Sequence, residues 1–166
     1  MKLIEIHKTK LEEHLPYLNE WYNIGEQYAV AELFRSFGIV HYDNQRKDYQ
    51  LYTIYEDSNY IGVIGYECYE CDVDNAWLAW TFVIPEHRGK GYGKLVFVEL
   101  MNILSNKSYS NLYIDSVEDQ NTQEFYKKLG FEYISDCKTF RKNNPEYSKE
   151  ILIYNDNPVY VKKLNK

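Results

Sequence analysis

A basic, glycine-rich segment near the middle of the chain carries the clearest sign of chemistry. The apolar stretch ending at Ile84 is followed by Pro85-Glu86-His87-Arg88-Gly89-Lys90-Gly91-Tyr92-Gly93-Lys94, and a second apolar run begins at Leu95. A glycine-rich turn before a helix exposes successive backbone N–H groups, and the helix start adds about half a positive charge. Glycines also let a ligand approach the backbone without an intervening side chain. The segment therefore predicts a site for a phosphate or pyrophosphate.

Two common phosphate-binding loops do not match this segment. The mononucleotide loop Gly-x-x-x-x-Gly-Lys-Ser/Thr requires a glycine where Arg88 stands and a hydroxyl residue where Leu95 stands. The dinucleotide fingerprint Gly-x-Gly-x-x-Gly, begun at Gly89, requires a third glycine where Lys94 stands. Neither nucleotide loop is predicted.

The segment does fit the pattern Arg/Gln-x-x-Gly-x-Gly/Ala, with Arg88, Gly91 and Gly93 at the fixed positions. In this strand-to-helix setting it resembles the GCN5-related N-acetyltransferase (GNAT) family. The order of elements agrees over nearly the whole chain, and the specific letters lie between Trp77 and Phe131. The resemblance implies that the turn holds the pyrophosphate of acetyl-coenzyme A, the co-substrate, through Arg88, Gly89, Lys90, Gly91, Tyr92, Gly93 and Lys94. The alternative is a glycine turn that only connects a strand to a helix.

A second block, from Asn121 to Phe131, resembles the closing helix of the same family. That helix carries a tyrosine four residues before a Gly-Phe pair, and Tyr126 occupies this position. The resemblance implies that Tyr126 protonates the departing coenzyme A thiolate. A phenol with a pKa of ~10 can protonate a thiolate whose conjugate acid has a pKa of ~8.5. Because the chain contains 18 tyrosines, a packing role for Tyr126 is the alternative.

The chain departs from the family pattern at two positions. Family members commonly carry asparagine seven residues before the tyrosine, where this chain has Asp119. Asn121, two residues later, is then the candidate for the cofactor contact. Members that acetylate histones carry a glutamate base eleven residues before the first motif residue, where this chain has Trp77. A histone-type mechanism is therefore not predicted.

The groups that polarise the thioester and activate the amine are less well defined. The resemblance implies that a backbone N–H near Phe82 or Val83 polarises the carbonyl. An alkylamine with a pKa of ~10.4 is mostly protonated at pH 7, so its attack needs a base or a water chain to bulk solvent. Carboxylates near two of the predicted strands are the candidate bases: Glu67, Glu70, Asp72, Asp74, Glu118 and Asp119.

Composition and charge exclude several classes of protein. The 166 residues suit a single domain over 1–166, and a hydrophobic content of 45% argues against disorder. The net charge of −6 disfavours nucleic acid and favours a cationic partner such as an amine. No apolar stretch approaches the ~20 residues that span a bilayer, and the four histidines lack zinc-site spacing. From these two observations we predict no membrane partner and no metal. Three cysteines cannot all pair within one chain, which favours a reducing environment, so we predict a cytoplasmic protein.

Hydrophobic periodicity predicts the elements that position these groups. Strands are expected over 2–7, 49–56, 60–67, 76–84, 111–117, 131–134 and 151–164, with polar turns at 57–59 and 72–75. Helices are expected over 9–27, 29–37 and 91–105, and a last helix capped by Asn121 or Thr122 ends at Leu129. The strand-helix-strand unit over 76–118 implies two neighbouring parallel strands. The fold class is therefore α/β (α+β): a GNAT-like mixed, mostly antiparallel sheet flanked by helices, with a central parallel pair around the cofactor.

The predicted function is direct acetyl transfer from acetyl-coenzyme A to a primary amine, with a small-molecule acceptor as the main hypothesis. An acetyltransferase that acts on protein amino groups is one alternative, and a non-catalytic acyl-coenzyme A sensor or interaction module is another. The surplus of tyrosine suits an interface as well as a pocket, which leaves a homodimer open.

Overall fold

The computed structural model describes residues 1–5, 46–116, 119–147 and 156–164. The helices expected over 9–27 and 29–37 lie outside these residues. The described strands are β1 (Lys2–Glu5), β2 (Arg46–Glu56), β3 (Asn59–Tyr69), β4 (Asp72–Val83), β5 (Asn111–Asp115), β6 (Glu132–Asp136) and β7 (Pro158–Lys163). The described helices are α1 (Tyr92–Asn106), α2 (Gln120–Lys128) and α3 (Cys137–Asn143). None of these three helices is long and apolar enough to cross a membrane.

The seven described strands are hydrogen-bonded in the order β1-β2-β3-β4-β5-β7-β6. β4 and β5 run parallel, and their register places Asn75 opposite Asn111 and Trp77 opposite Tyr113. β1 pairs antiparallel with β2, and β7 pairs antiparallel with both β5 and β6. The predicted fold class, a mixed and mostly antiparallel sheet with a central parallel pair and flanking helices, is confirmed.

Two compact units make up the chain. The first unit contains Met1–Asn44, Tyr49–Tyr66 and Ala79–Val96, and the second contains Gln45–Asp48, Glu67–Leu78 and Phe97–Lys166. The first unit has a core of aliphatic side chains from β2 and β3 that are at most 1% exposed: Leu51, Ile54, Ile61, Val63 and Ile64. The chain start is joined to β2 by the Met1 ammonium, 2.8 Å from the Glu56 carboxylate, and by the Thr53 hydroxyl, which donates to the Ile4 carbonyl at 3.2 Å.

A tight turn joins β2 to β3 in the first unit. Its two residues, Asp57 and Ser58, have φ of 46° and 69°. Left-handed backbone at both central positions is typical of the hairpin turn whose twist matches that of the flanking strands. The predicted hairpin is confirmed, and its turn is shorter than expected because Asn59 already belongs to β3.

The second unit has an aromatic core around Trp77. The Trp77 ring stacks on Tyr113 with centroids 5.0 Å apart and meets Phe140 edge-on at 5.5 Å. The indole N–H donates to the Tyr147 hydroxyl at 3.2 Å, which satisfies the polar atom of this buried side chain. Trp77, which stands where the resemblance places a glutamate base in members that acetylate histones, is therefore a packing residue in this protein.

The predicted polar turn at 72–75 is wrong. The turn lies at Glu70 and Cys71, and β4 begins at Asp72. The Asp72 carboxylate accepts hydrogen bonds from the Asn75 side chain at 2.8 and 2.9 Å and from the Tyr147 hydroxyl. Because the Asp72 carboxylate finds partners within β4 and on Tyr147, it is accommodated at the start of a strand.

Helix α3 was not expected from the sequence. Asp136 caps it, since one carboxylate oxygen accepts from the Thr139 backbone N–H at 2.7 Å and the other from the Thr139 hydroxyl at 2.8 Å. The strand expected over 151–164 is seen as β7, and residues 148–155 lie outside the described part of the chain.

Candidate active site

The glycine-rich loop follows directly from the end of β4. The Ile84 N–H donates to the Ile61 carbonyl at 2.8 Å, which keeps the strand end attached to β3. Pro85–His87 then form one tight turn, closed by bonds from the His87 N–H to the Ile84 carbonyl at 2.9 Å and from the Arg88 N–H to the Pro85 carbonyl at 3.1 Å. Proline stops the strand because it lacks an N–H and fixes φ. The chain is thereby turned from β4 toward α1.

Two glycines in this loop have left-handed backbone. Gly89 has φ of +74° and Gly91 has φ of +83°, and both are exposed. A Cβ added at either position would meet no atom within 4 Å. Glycine is therefore favoured here by the backbone conformation and not by crowding. The open space leaves the loop backbone accessible to a ligand.

Arg88 connects the loop to the strand that precedes it. Its Nε donates to the Val83 carbonyl at 2.8 Å, and its guanidinium carbon lies 5.4 Å from the centre of the Phe82 ring. The side chain therefore fixes the loop through one hydrogen bond and one cation–π contact. Lys90 and Lys94 are exposed and add positive charge to the same loop.

Tyr126 lies on α2 in the second unit and is 8% exposed. Its ring meets Phe97 at 5.8 Å and Phe131 at 5.9 Å between centroids, both edge-on, and Tyr160 at 6.1 Å. Gly130, with φ of +81°, ends the helix as predicted and returns the chain to Phe131. The ring therefore packs among aromatic side chains, whereas the acid role predicted for Tyr126 concerns its hydroxyl.

The hydroxyl of Tyr126 has a chemical environment of its own. The pKa of Tyr126 is raised to about 12, chiefly by burial; the Ser116 side-chain hydrogen bond lowers it and the charge of Asp115 raises it by smaller amounts. The phenol is therefore protonated throughout the neutral range. It can donate a proton or a hydrogen bond but cannot serve as a base at neutral pH.

Asp119 is the N-cap of α2, so the expectation of a cap at Asn121 or Thr122 is wrong. The Asp119 carboxylate accepts from the Thr122 N–H at 2.8 Å, and Asn121 lies exposed in the first turn. An aspartate in extended conformation just before a helix is a strong N-cap because its side chain can bond the N–H three residues later. Asn121 is therefore an exposed residue of the first turn and not the cap.

We expect Asp119→Ala to lower the melting temperature at neutral pH, because the Thr122 N–H loses its acceptor. Hydrogen bonds from Thr122 hold the pKa of Asp119 below its ordinary value. A carboxyl with a lower pKa in the folded state stabilises the fold above the unfolded-state value of ~3.9 and loses this effect as pH falls through the folded value. The difference in melting temperature between the two proteins should therefore be largest above about pH 4 and vanish in stronger acid.

Thermal unfolding followed by circular dichroism from pH 2 to 7 measures this difference. Asp119→Asn is the matched control, since it keeps an acceptor for Thr122 but cannot titrate. Equal melting temperatures for the wild-type and Asp119→Ala proteins at pH 7 would show that the cap does not stabilise α2.

The other candidate bases differ in their surroundings: two are hydrogen-bonded to tyrosine hydroxyls and two are exposed. The Glu67 carboxylate accepts from the Tyr69 hydroxyl at 2.5 Å, and Asp72 is held by Asn75 and Tyr147. Glu70 and Asp74 are exposed, and Glu118 lies outside the described residues. Sequence reasoning passed over a further carboxylate, Asp115 at the end of β5, because a lone aspartate after a short apolar strand carries no motif.

The three cysteines are free thiols. Cys68 in β3 and Cys137 at the start of α3 are buried, and Cys71 in the β3–β4 turn is exposed. Burial raises the pKa of all three thiols, and that of Cys137 to about 12. They are therefore poor nucleophiles at neutral pH. Within the described ranges, no group of three or more His, Cys, Asp or Glu side chains is arranged to hold a metal.

A family model described as the acetyltransferase (GNAT) domain matches residues 47–133 of this sequence. The chain belongs to the GNAT acetyltransferases. The matched range runs from β2 to the start of β6 and includes the glycine-rich loop and Tyr126. Membership of this family makes the protein an acetyl-transferring enzyme, as the sequence motif predicts.

Relatives of this GNAT protein act on different amines. It is 27% identical over 105 residues to the ribosomal protein bS18-alanine N-acetyltransferase of Haemophilus influenzae, a match that covers 63% of this chain and 69% of the relative. It shares its fold with mutant forms of the spermidine/spermine N-acetyltransferase SpeG from Vibrio cholerae, with a TM-score of 0.62, 15% identity and coverage of 98% and 94% of the two chains.

A third similar protein is the PaiA N-acetyltransferase from Thermoplasma acidophilum, whose structure is a complex with coenzyme A. The TM-score is 0.56 and the identity 18%, over 95% of this chain and 80% of the other. Both structural likenesses establish the GNAT fold of this chain and leave its acceptor to be identified.

Proposed function

We propose that this GNAT enzyme transfers an acetyl group from acetyl-coenzyme A to the primary amine of a small molecule by direct attack on the thioester. The observation that carries the proposal is the loop between β4 and α1. It presents two exposed left-handed glycines and exposed lysines immediately before a helix of 15 residues. Backbone N–H groups at such a helix start are suited to an anion.

In this proposal the loop residues hold the pyrophosphate of acetyl-coenzyme A. Gly89, Gly91 and Gly93 supply accessible backbone, each followed by a residue with a further N–H group, Lys90, Tyr92 or Lys94, and the lysine charges add attraction. Arg88 holds the loop in place through its bond to the Val83 carbonyl, and its outer guanidinium nitrogens stay available for phosphate. The backbone at Phe82 and Val83 is proposed to polarise the thioester carbonyl, and Asn121 is proposed to contact the cofactor.

Tyr126 is proposed as the group that protonates the coenzyme A thiolate. Support comes from the pKa of about 12, which keeps the hydroxyl protonated, and from its hydrogen bond with Ser116, which orients it. A phenol of this pKa lies ~3.5 units above a solvated thiol, so full proton transfer to a solvated thiolate would cost about 5 kcal/mol. Desolvation raises the pKa of a buried thiol as well. Proton donation as the C–S bond breaks therefore has a lower free-energy cost than transfer to a free, solvated thiolate.

The acceptor is proposed to be a small cationic amine because the protein carries a net charge of −6. The name of the Vibrio relative, a spermidine/spermine N-acetyltransferase, points to polyamines as one such class. The name of the Haemophilus relative favours a second candidate, the α-amino group of a protein that begins with alanine. Coenzyme A already supplies the activated acetyl group, so no metal is needed for this chemistry.

A cytoplasmic location is part of the proposal. Three free thiols are expected where glutathione and thioredoxin keep cysteines reduced.

A panel of amines separates these candidates. Purified protein with acetyl-coenzyme A would be offered spermidine, spermine, aminoglycosides, amino acids and a peptide beginning with alanine, with release of the free thiol followed by a chromogenic disulfide. We expect a small amine to give the largest kcat/KM. A preference for the alanine peptide over every small amine would overturn the proposal of a small-molecule acceptor. If none of the amines in the panel caused release of the thiol, the proposed transferase activity would be overturned.

A further inference from the structure

Gly62 lies on β3 where the backbone of the neighbouring strand β4 comes very close to it. The residue is buried, and a Cβ added there would stand 2.0 Å from the carbonyl oxygen of Phe82, 2.9 Å from its carbonyl carbon and 3.0 Å from the Cα of Val83. All three atoms belong to the backbone, which cannot turn aside as the end of a flexible side chain can. Only glycine fits at this position without displacing β4.

This close approach sets the direction of the peptide unit between Phe82 and Val83. The Phe82 oxygen is nearer to the added Cβ than the Phe82 carbonyl carbon is, so the carbonyl points at Gly62. In a trans peptide unit the C=O and the N–H point in opposite directions, and the described residues contain no cis peptide bond. The Val83 N–H therefore points away from β3. Among the described residues, β4 pairs with β5 only as far as Trp77, so this N–H lies beyond the paired part of the strand.

Two further contacts fix the backbone on the other side of Val83. The Ile84 N–H donates to the Ile61 carbonyl at 2.8 Å, and the Val83 carbonyl accepts from Arg88 Nε at 2.8 Å. In an extended strand the N–H and the C=O of one residue point to the same side. The Phe82 N–H therefore faces β3 together with the Phe82 carbonyl, and of the two N–H groups only that of Val83 faces away.

We propose that Gly62 is a positioning residue for acetyl transfer, because its missing side chain lets the Phe82 carbonyl close on β3 and thereby aims the Val83 N–H at the thioester carbonyl. The inference rests on the proposed function, which assigns the polarising group to this stretch of backbone, and it selects Val83 over Phe82 as the donor. A donor stabilises a transition state when it is fixed where the charge develops. A misplacement of about 1 Å can lower the rate ~10²-fold.

The Val83 N–H keeps its own proton throughout the transfer. As the lone pair of the neutral amine forms the C–N bond, the π electrons of the carbonyl move to oxygen, and the Val83 N–H donates to this oxyanion. The electron pair then returns to re-form the carbonyl, the C–S bond breaks, and the leaving sulfur takes the hydroxyl proton of Tyr126. The nitrogen gives one proton through water to the Tyr126 phenoxide. One amide and one coenzyme A thiol are formed.

Gly62→Ala tests the inference, and Gly65→Ala is its matched control. Both glycines are buried on β3 and neither has a left-handed φ, so alanine adds only crowding. At Gly62 the Phe82 oxygen must move by about 1 Å, from 2.0 Å to the 3.0 Å that real Cβ contacts keep. A Cβ at Gly65 would stand 2.5 Å from the Gln50 carbonyl oxygen and 2.2 Å from the Leu51 side chain, so the control presses on β2 instead of β4.

The rate of a single turnover separates the two variants. At saturating acetyl-coenzyme A and the amine that reacts fastest in the panel, we expect a loss of about 10²-fold in Gly62→Ala and of less than about threefold in Gly65→Ala. Both melting temperatures should fall, because overpacking destabilises a core. Calorimetry with acetyl-coenzyme A shows for each protein that the cofactor is saturating.

A second readout reports on the thioester carbonyl itself and needs no acceptor. Isotope-edited infrared spectra would be recorded for acetyl-coenzyme A, labelled with carbon-13 in its thioester carbonyl, bound to each protein. A hydrogen bond from Val83 weakens the C=O bond, so the stretch should lie at a lower wavenumber in the wild-type and Gly65→Ala proteins than in Gly62→Ala. Should Gly62→Ala fail to fold, cell-free synthesis can replace Val83 by the α-hydroxy acid with the same side chain. This change removes the N–H without crowding and should give the higher wavenumber and a loss of about 10²-fold.

Each outcome of these experiments bears on one of the two proposals. An equal wavenumber in the wild-type protein and the variant, or equal losses of rate in Gly62→Ala and Gly65→Ala, would overturn the positioning role of Gly62. The expected infrared difference in a protein that acetylates no amine would support that role and count against the proposed function. Absence of a bound spectrum for the unmodified protein would overturn both.

Discussion

Tyr126→Phe should lower the single-turnover rate of acetyl transfer by ~10² to 10⁴, the range typical for loss of a positioned general acid. The change removes only the hydroxyl, so the ring keeps its edge-on contacts with Phe97 and Phe131. Loss of the hydrogen bond with Ser116 should cost only about 1 kcal/mol of stability. The rate is measured at saturating acetyl-coenzyme A and amine, since slow product release can hide a chemical defect in the steady state.

Tyr160→Phe provides the matched control for Tyr126→Phe. Tyr160 belongs to the same aromatic cluster and is 1% exposed, so the substitution removes a hydroxyl from a comparable ring. We expect it to leave the single-turnover rate within about twofold of the wild-type rate. If Tyr126→Phe lowered the single-turnover rate by less than threefold, Tyr126 would have only a packing role and water would be the acid.

Gly91→Glu is expected to weaken acetyl-coenzyme A binding by ~10² or more. A hydrogen bond to a charged group contributes about 1.5–3 kcal/mol, so loss of one or two backbone bonds to the pyrophosphate gives this magnitude. The side chain also brings negative charge to a phosphate site and forces a residue with Cβ into φ of +83°. Because a Cβ there meets no neighbour within 4 Å, the substitution should not disturb the core.

Isothermal titration calorimetry with acetyl-coenzyme A measures this affinity, and two glutamine variants provide controls. Gly91→Gln separates the effect of the backbone from that of the added charge. Gly130→Gln imposes the same side chain at φ of +81° at the end of α2, so it carries a similar backbone strain away from the loop, and the end of the Lys162 side chain, 2.5 Å from the added Cβ, must shift. Weaker binding in Gly91→Gln with unchanged binding in Gly130→Gln is the expected pair of results. Unchanged affinity in a folded Gly91→Glu protein would exclude this loop as the cofactor site.

The sequence predicted those parts of the fold that local chemistry determines. The helix after the loop begins at Tyr92, one residue later than expected, because glycines with positive φ cannot begin a helix. The Asp57–Ser58 hairpin and the end of α2 at Gly130 were likewise found, since turn residues and a left-handed glycine mark them directly. The parallel pair β4 and β5 followed from the strand-helix-strand order.

Other parts depend on contacts between residues far apart in sequence. Segment 72–75 has the composition of a turn, and its place in β4 depends on bonds to residues distant in sequence, among them Tyr147 and Asn111. Asp119 was considered as a departure from the family pattern, and its capping role depends on the backbone conformation at the start of α2. The burial of Asp115 was likewise not predicted, because it depends on β7 and on the Asn157 side chain, which the sequence does not place beside β5.

Transfer of label in one turnover tests the account most directly. Protein in excess would be mixed with carbon-14-labelled acetyl-coenzyme A and the amine that reacts fastest in the panel, and then quenched in acid at successive times. Direct attack predicts that label leaves coenzyme A and enters the amide at one common rate, with none attached to the protein. A labelled acetyl-protein that forms and decays as fast as the amide appears, or label that stays on coenzyme A, would contradict direct acetyl transfer by this enzyme.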